Sequence, residues 1–354
     1  MEAVPPALGL SADEVAHLLA AAGRAPSLNN SQPWRFRVEP DVIELWADSE
    51  RALPAADPTG REQRLACGAA LFNLRLALQG CGVRPLVTLP TDPDRPDLLA
   101  CVRYGGRKAP TPTQLRLLAA VPKRHTNRTP FSDEAVTTGE RTSLRRAALG
   151  EGAWLHFVDD RSERHALAAL AAQAHTIQQT DPAVRAEVER WTAVTGGHDD
   201  GIPAYANEQR PSAHEPWVKR DYTGGRGRPT ADAGTRFEQD PAIAVIYPFA
   251  SGTSADITAG QAMQVVLLTA TVEGLAASFL SHLVEVEQTR EQLRRLIRAS
   301  HSPRVVLRIS RSVTARRGVD GTGHPRPMRS TTCGLWLARI RRRSCSRVCS
   351  TSTK

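Results

Sequence analysis

The chain has 354 residues and a formal charge of +9, from 46 Lys and Arg against 37 Asp and Glu, enough for one large domain or two medium ones. The charge invites a nucleic-acid reading, but residues 310–354 hold ten Arg and one Lys against the single acid Asp320, which leaves residues 1–309 at −1 and makes nucleic acid an unlikely partner of the body. No apolar run reaches membrane-spanning length, and the start MEAVPPALGL has no basic segment followed by a long apolar one, so we expect a cytoplasmic chain with no membrane partner.

In chain order, SADEVAHLLAAAG opens a helix. Ser11 can cap it, Glu14 sits three residues on as in a capping box, and Val15, Leu18, Leu19 and Ala22 make the apolar stripe that Gly23 ends. The next stretch, RAPSLNNSQPWRF, crowds two carboxamides, two hydroxyls and Gln32 between two prolines, dense hydrogen-bonding chemistry for a connector. RFRVEPDVIELWAD predicts two short strands turning at Glu39, Pro40 and Asp41. REQRLACGAALFNLRLALQGCGVRP predicts a helix apolar on most sides, which places it centrally in a large core. Further strands are expected at 85–89, 98–104, 154–158, 242–247 and 304–309, alternating with helices that include one span over 163–192. Cys67, Cys81 and Cys101 in the body, like Cys333, Cys345 and Cys349 in the tail, show no zinc-ligand or C-x-x-C spacing, and the body three read as small thiols in a reducing compartment.

Residues 196–235 differ from their surroundings, being rich in Gly and Pro and poor in aliphatics, the composition of a functional cover or of a disordered stretch. Within them, GGRGRP is a single RGG-like copy, and His198, Asp199 and Asp200 are adjacent residues ill placed to converge on one metal ion. A repeat spans the chain: GAALFNLRLALQGCG, 68–82, aligns with GQAMQVVLLTATVEG, 260–274, at a constant offset that matches Gly68 to Gly260, Ala70 to Ala262, Leu76 to Leu268 and Gly82 to Gly274. Either a unit has been duplicated, or two buried helices look alike. A second polar phrase, KRHTNRTPF at 123–131, offers planar Arg donors suited to phosphate beside Thr126 and Asn127, or else a solvated basic turn.

These phrases carry a family resemblance. APSLNNSQPW resembles the flavin-binding loop of the FMN-dependent nitroreductases, and RHTNR resembles their Arg-x-Ser/Thr-x-Arg/Lys phrase. With DPTGREQRLACGAALFNLRLAL, DGIPAYA and AGQAMQVVLLTATVEGLAAS the likeness spans residues 10–309 and is closest to the Acg-like subfamily, in which one chain carries two nitroreductase-type halves. The resemblance implies an α+β nitroreductase-like fold with mixed sheets and central buried helices, organised as a single-chain pseudo-dimer of residues 1–120 and 121–309 and therefore a monomer. It implies FMN held across the halves by Arg124, Thr126 and Arg128 on one side and Pro26, Ser27, Leu28, Asn30 and Gln32 on the other. It further implies NADH or NADPH as electron donor and a small nitro or quinone-type acceptor, with the chemistry centred on the flavin, so that no protein nucleophile and no metal is needed. FMN storage beneath a cover formed by 196–235 is the alternative.

Two departures from the family pattern stand out. The first half lacks a basic phrase and the second lacks a Pro-Ser-Asn-Gln loop, so one composite site is expected per chain. After PRVVLRIS the family character stops, and 310–354 have the composition of a GC-rich gene read out of frame, the alternative being a genuine basic tail. Translating the coding DNA in its other two frames decides this, since a frameshift requires one of them to restore a family-like ending.

Overall fold

The computed structural model describes residues 4–90, 92–127, 131–132, 134–192, 200–202, 209–210, 228–229 and 241–311. Helix α1 (Ala12–Ala22) is capped as its sequence predicts: the Glu14 amide donates to the Ser11 hydroxyl at 3.3 Å, and the Ser11 amide donates back to the Glu14 carboxylate at 2.8 Å. Strands β1 (Trp34–Glu39) and β2 (Val42–Ala47) form a hairpin with Trp34 opposite Ala47. Helix α2 (Arg61–Gly80), β3 (Val83–Thr88) and β4 (Leu98–Arg107) complete a sheet of order β1-β2-β4-β3. After α3 (Pro112–Ala120) the plan repeats. Helix α4 (Thr138–Gly150) leads to β5 (Ala153–Phe157), α5 (Arg161–Thr180) and α6 (Pro182–Thr192), with a two-residue parallel pair, β6 (Gln209–Arg210) and β7 (Arg228–Pro229), following. Then come β8 (Ala242–Pro248), α7 (Thr253–Val272), β9 (Ala276–Phe279), the short α8 (His282–Glu285), α9 (Glu287–Leu296) and β10 (Val305–Ser310). The second sheet runs β5-β8-β10-β9, the same order as the first once strands are matched by their place around the long helix.

The architecture is α+β as expected, but neither four-stranded sheet is mixed. Strands β2 and β3 run the same way with α2 as their crossover, and β4 slips between them, so every hydrogen-bonded neighbour is antiparallel. Strands β8, β9 and β10 repeat this around α7. The helix expected over 163–192 is two helices, broken at Asp181–Pro182. Proline has no N–H to continue the helix and pushes the preceding residue out of the α region, and Asp181 (ψ 113°) caps the new start by accepting from the Ala183 amide at 2.8 Å. Ser310 completes β10 with its hydroxyl donating to the Ser132 carbonyl, and Arg311 pairs with Glu140 at 2.6 Å. The remainder of the tail expected over 310–354 lies outside the described residues.

Helices α2 and α7 lie against each other between the sheets, and one hydrophobic cluster runs from Val15 and Leu45 through Leu71, Leu74, Met263 and Val266 to Leu155 and Leu307. Their crossing depends on two repeat-related glycines. A Cβ on Gly68 would sit 2.9 Å from the Ile257 carbonyl carbon, and one on Gly260 would sit 3.0 Å from the Gly68 Cα and equally tight on Leu65. The same-numbered pairs of the repeat thus touch reciprocally, Gly68 on Ile257 and Gly260 on Leu65, which is the pattern of an isologous contact. Beside the crossing, buried Asp256 accepts from Arg64 at 2.8 Å and from Arg304 at 2.6 Å, joining the N-terminal ends of the two long helices to β10.

Candidate functional site

Between α1 and β1 the chain makes a tight loop whose residues Leu28–Asn30 form one 3-10 turn. Asn29, Asn30 and Gln32 all have positive φ, at 51°, 53° and 50°. Asn tolerates this left-handed region, but three such residues within four positions carry a conformational cost that the surroundings must offset. The Ser27 hydroxyl accepts from the Gln32 amide at 2.9 Å and closes the loop on itself. Arg51 reaches in from the other side and donates to the Ser31 carbonyl at 2.7 Å. Asn30 is engaged with a remote segment: its carboxamide donates to the Gly201 carbonyl at 3.0 Å, and the Gly201 amide donates to the Asn30 carbonyl at 3.1 Å. Pro26, Ser27, Leu28 and Gln32 are half-buried at the loop's surface, so the predicted loop residues form one contiguous feature.

The basic phrase follows α3 and approaches this loop from the second half. Arg124 is half-buried, its Nη2 lies 3.5 Å from the Arg24 carbonyl, and its buried Nε–H meets no acceptor. Burial, and then the neighbouring Arg24 guanidinium, bring its pKa down to about 10. Thr126 forms a bridge with Ala277 of β9, and the Asn127 amide donates to the Ala277 carbonyl at 2.8 Å. The phrase is therefore pinned to the edge strand of the second sheet. Arg128, the remaining predicted residue, lies outside the described residues, as do His198 and Asp199 and most of the cover expected over 196–235.

Sequence reasoning missed Arg51 and Arg308. Arg308 is 2 % exposed on β10, donates through Nε to the Ser278 hydroxyl at 3.2 Å and stacks on the Phe131 ring at 4.8 Å, next to where the basic phrase joins β9. Its signal was legible as a charge inside the apolar strand VVLRIS. Arg51 gives no such signal, because its partners come from residues 31, 48 and 200.

A second cluster of charge is buried where the N-terminal end of α2 meets α8. Arg61 pairs with Glu62 at 3.0 Å and also donates to the Val284 carbonyl. Desolvation, reinforced by Glu285 and Asp57 and opposed by Arg61, lifts the Glu62 carboxyl to about 7. Asp57 is raised by burial as well, and burial lowers Arg290 to about 10. Among the described residues no group of three or more His, Cys, Asp or Glu is placed to hold a metal ion, and no helix is long and apolar enough to cross a membrane.

The connections that follow α1 and α4, each leading into the first strand of its sheet, differ at this site. Residues 23–33 separate α1 from β1, whereas only Glu151 and Gly152 separate α4 from β5. The α4–β5 connection therefore holds no counterpart of the Pro-Ser-Asn-Gln loop.

No family model matches the chain. It is 32% identical over 304 residues to a Mycobacterium tuberculosis protein named "Putative NAD(P)H nitroreductase Rv3131", with 84% of this chain and 85% of the relative aligned. It is 28% identical over 329 residues to "Putative NAD(P)H nitroreductase acg" of the same species, covering 90% of this chain and 97% of the relative. Among solved structures, an FMN-bound nitroreductase of Bacteroides fragilis aligns with 60% of this chain and 98% of its own at 12% identity and a TM-score of 0.35. The identity and coverage of the first of these relatives define a nitroreductase-type protein. The chain belongs to the NAD(P)H nitroreductase family, in its Acg-like branch.

Proposed function

We propose that the chain binds one FMN in a composite site between its halves and uses NADH or NADPH to reduce it, handing the electrons to a nitro or quinone-type acceptor. The observation that carries this reading is Arg124. Its Nε–H is buried without an acceptor, it stands beside a second guanidinium, and among the described residues no carboxylate pairs with either cation. Such an arrangement fits an anionic group, and the terminal phosphate of FMN is one. Relatives named as NAD(P)H nitroreductases support the same reading.

In this proposal Arg124, Thr126 and Arg128 hold the phosphate and ribityl end, while Pro26, Ser27, Leu28, Asn30 and Gln32 lie along the ring system. When bound, the flavin supplies the hydride and electron chemistry. The chain orients it, and the buried strand edge at Ala277–Ser278 keeps water from the phosphate end. The matching sheet orders and the reciprocal helix crossing support an internal duplication with halves at 1–120 and 121–309; in this reading the chain acts as a cytoplasmic monomer.

A second reading, FMN storage without turnover, is favoured by the Asn30–Gly201 pairing, which seats residues 200–202 on the loop. Anaerobic addition of NADH or NADPH separates the two, since bleaching of the flavin band followed by acceptor-dependent recovery belongs to the enzyme alone. Released flavin is expected at one per chain. An Arg–phosphate bond contributes about 1.5–3 kcal/mol, so Arg124→Ala should weaken FMN roughly ten- to a hundredfold and riboflavin much less. Equal loss for both ligands refutes the phosphate assignment, and two flavins per chain refute the single site.

A further inference from the structure

Arg51 stands outside both phrases, yet it touches every part of the frame behind the loop. Its Nη1 donates to the Ser31 carbonyl at 2.7 Å, its Nη2 donates to the Asp200 carboxylate at 2.6 Å, and its Nε lies 3.7 Å from Asp48. The Asp48 amide in turn donates to the Pro33 carbonyl at 3.0 Å, and the Gln63 carboxamide ties the Asp48 carbonyl to α2, also at 3.0 Å. One guanidinium therefore joins the loop, the turn before α2 and a segment more than a hundred residues away. The side chains of both Arg51 and Asp200 are only 18 % exposed, so this is not a solvated surface pair.

The remote segment is itself fixed to the loop. Gly201 and Asn30 exchange two hydrogen bonds, Ile202 is 2 % exposed, and its amide donates to the Trp191 carbonyl at 2.9 Å. The loop needs such support, because Asn29, Asn30 and Gln32 are all left-handed. Each of those residues would relax to the β or right-handed region in a free chain. The Ser27 hydroxyl bridges the two ends, and Arg51 at Ser31 and Gly201 at Asn30 hold the middle of the loop from outside.

We infer that Arg51 is a positioning residue that couples the shape of the Pro-Ser-Asn-Gln loop to the docking of Asp200–Gly201–Ile202, so that ligand binding at the loop and docking of this segment favour each other. The inference rests on the FMN reading for the identity of the ligand, but the coupling itself is a property of the chain. Reciprocity follows from linkage: if docking strengthens binding at the loop by some factor, binding strengthens docking by the same factor. In this reading Arg51 and Asp200 act on the ligand through the loop. The effect travels through the Ser31 carbonyl and the Asn30 backbone, both within the loop.

The test uses the full-length protein and the variants Asp200→Asn and Arg51→Gln, alone and together. Asp200→Asn removes only the charge at the far end of the pair and keeps the side chain's size, so it spares the fold even if Arg51→Gln does not. Coupling between sites typically spans about 5- to 150-fold, so Asp200→Asn is expected to weaken FMN on the order of tenfold. The double variant should bind no more weakly than Arg51→Gln, since the two changes break one connection. Hydrogen exchange without ligand supplies the second readout: the amides of residues 29–32 should exchange faster in Asp200→Asn, with the amides of β2 unchanged. Unaltered FMN affinity in Asp200→Asn, or losses that multiply in the double variant, overturns the coupling. If the wild-type chain binds no flavin, the FMN reading fails by itself, and the exchange result still decides: faster loop exchange upholds the positioning role, and unaltered exchange overturns it.

Discussion

Replacing Gly68 by alanine tests whether α2 and α7 meet through backbone contact. In an exposed helix this change is favourable by about 1 kcal/mol, because alanine loses less backbone entropy than glycine. Here the added methyl would sit 2.9 Å from the Ile257 carbonyl carbon and nearer still to its oxygen. Carbon atoms in contact lie about 3.5–4.0 Å apart, so α2 and α7 must separate by at least roughly 0.6 Å along a crossing packed on both sides. Overpacking costs about 1–3 kcal/mol, and the upper end applies because the obstacle is main chain, which cannot turn aside as a side chain can. Set against the helix-propensity gain, the net destabilisation is about 2 kcal/mol, a fall in Tm of roughly 3 °C for a chain of this size. Gly260→Ala should behave alike, because its Cβ meets Leu65 in the reciprocal contact. The double variant should lose less than the sum, since the first methyl already parts the helices that the second would strain. Thermal melts and urea midpoints of the three variants read this out. A Gly68→Ala protein more stable than wild type would refute the close crossing.

Asp256→Ala leaves the Arg64 and Arg304 guanidiniums without their shared carboxylate in a buried setting, and should destabilise by about 3–5 kcal/mol in urea titration. A loss below about 1 kcal/mol would mean that the triad behaves as a surface pair. Glu62, whose pKa rises from 4.5 to about 7 on folding, holds a proton in the native state that the unfolded chain has released. Stability attributable to it is therefore present below pH 4.5 and lost as pH rises through about 7, by about 3 kcal/mol at most. Glu62→Gln should flatten that part of the stability–pH curve, and an unchanged slope would assign it to other groups.

The sequence made the local parts of this fold visible. The capping box of α1 and the apolar faces of α2 are encoded within a few residues, and the structure reproduces both. The offset that pairs Gly68 with Gly260 was also readable, though its meaning was not. Two glycines in apolar helices can mark weakness or contact, and only the crossing shows that each faces the main chain of the other helix. Strand β9 went unnoticed because AASF is short and weakly apolar, and its neighbour β10 defines it. The loop could be picked out by its composition, but not its shape. Nothing local announces that Asn29, Asn30 and Gln32 are all left-handed, since a carboxamide permits positive φ without requiring it. Arg51 was illegible for the converse reason, because its role is set by partners distant in the chain, each ordinary in its own context.

The difference between the α1–β1 and α4–β5 connections bears on how such a site is kept. In a homodimer one set of residues builds both sites, so a change that removes one removes the other. Under the proposed duplication each half varies alone, and one complete loop together with one basic phrase suffices for a single cofactor. The α4–β5 connection fits that freedom. Only Glu151 and Gly152 remain there, the Gly152 carbonyl accepts from the Phe249 amide at 3.1 Å, and the Trp154 and Phe249 rings lie 5.0 Å apart beside the turn. A short hydrogen-bonded turn orders fewer residues than an eleven-residue loop with three left-handed positions, and so carries less conformational cost. The strained loop is found where Arg124 approaches it, and the α4–β5 connection has a short turn in its place. On this argument the strain of the retained loop is tied to the ligand it shapes, and inserting residues 24–33 between α4 and β5 should lower stability without adding a second flavin, as melting temperature and flavin content per chain would show.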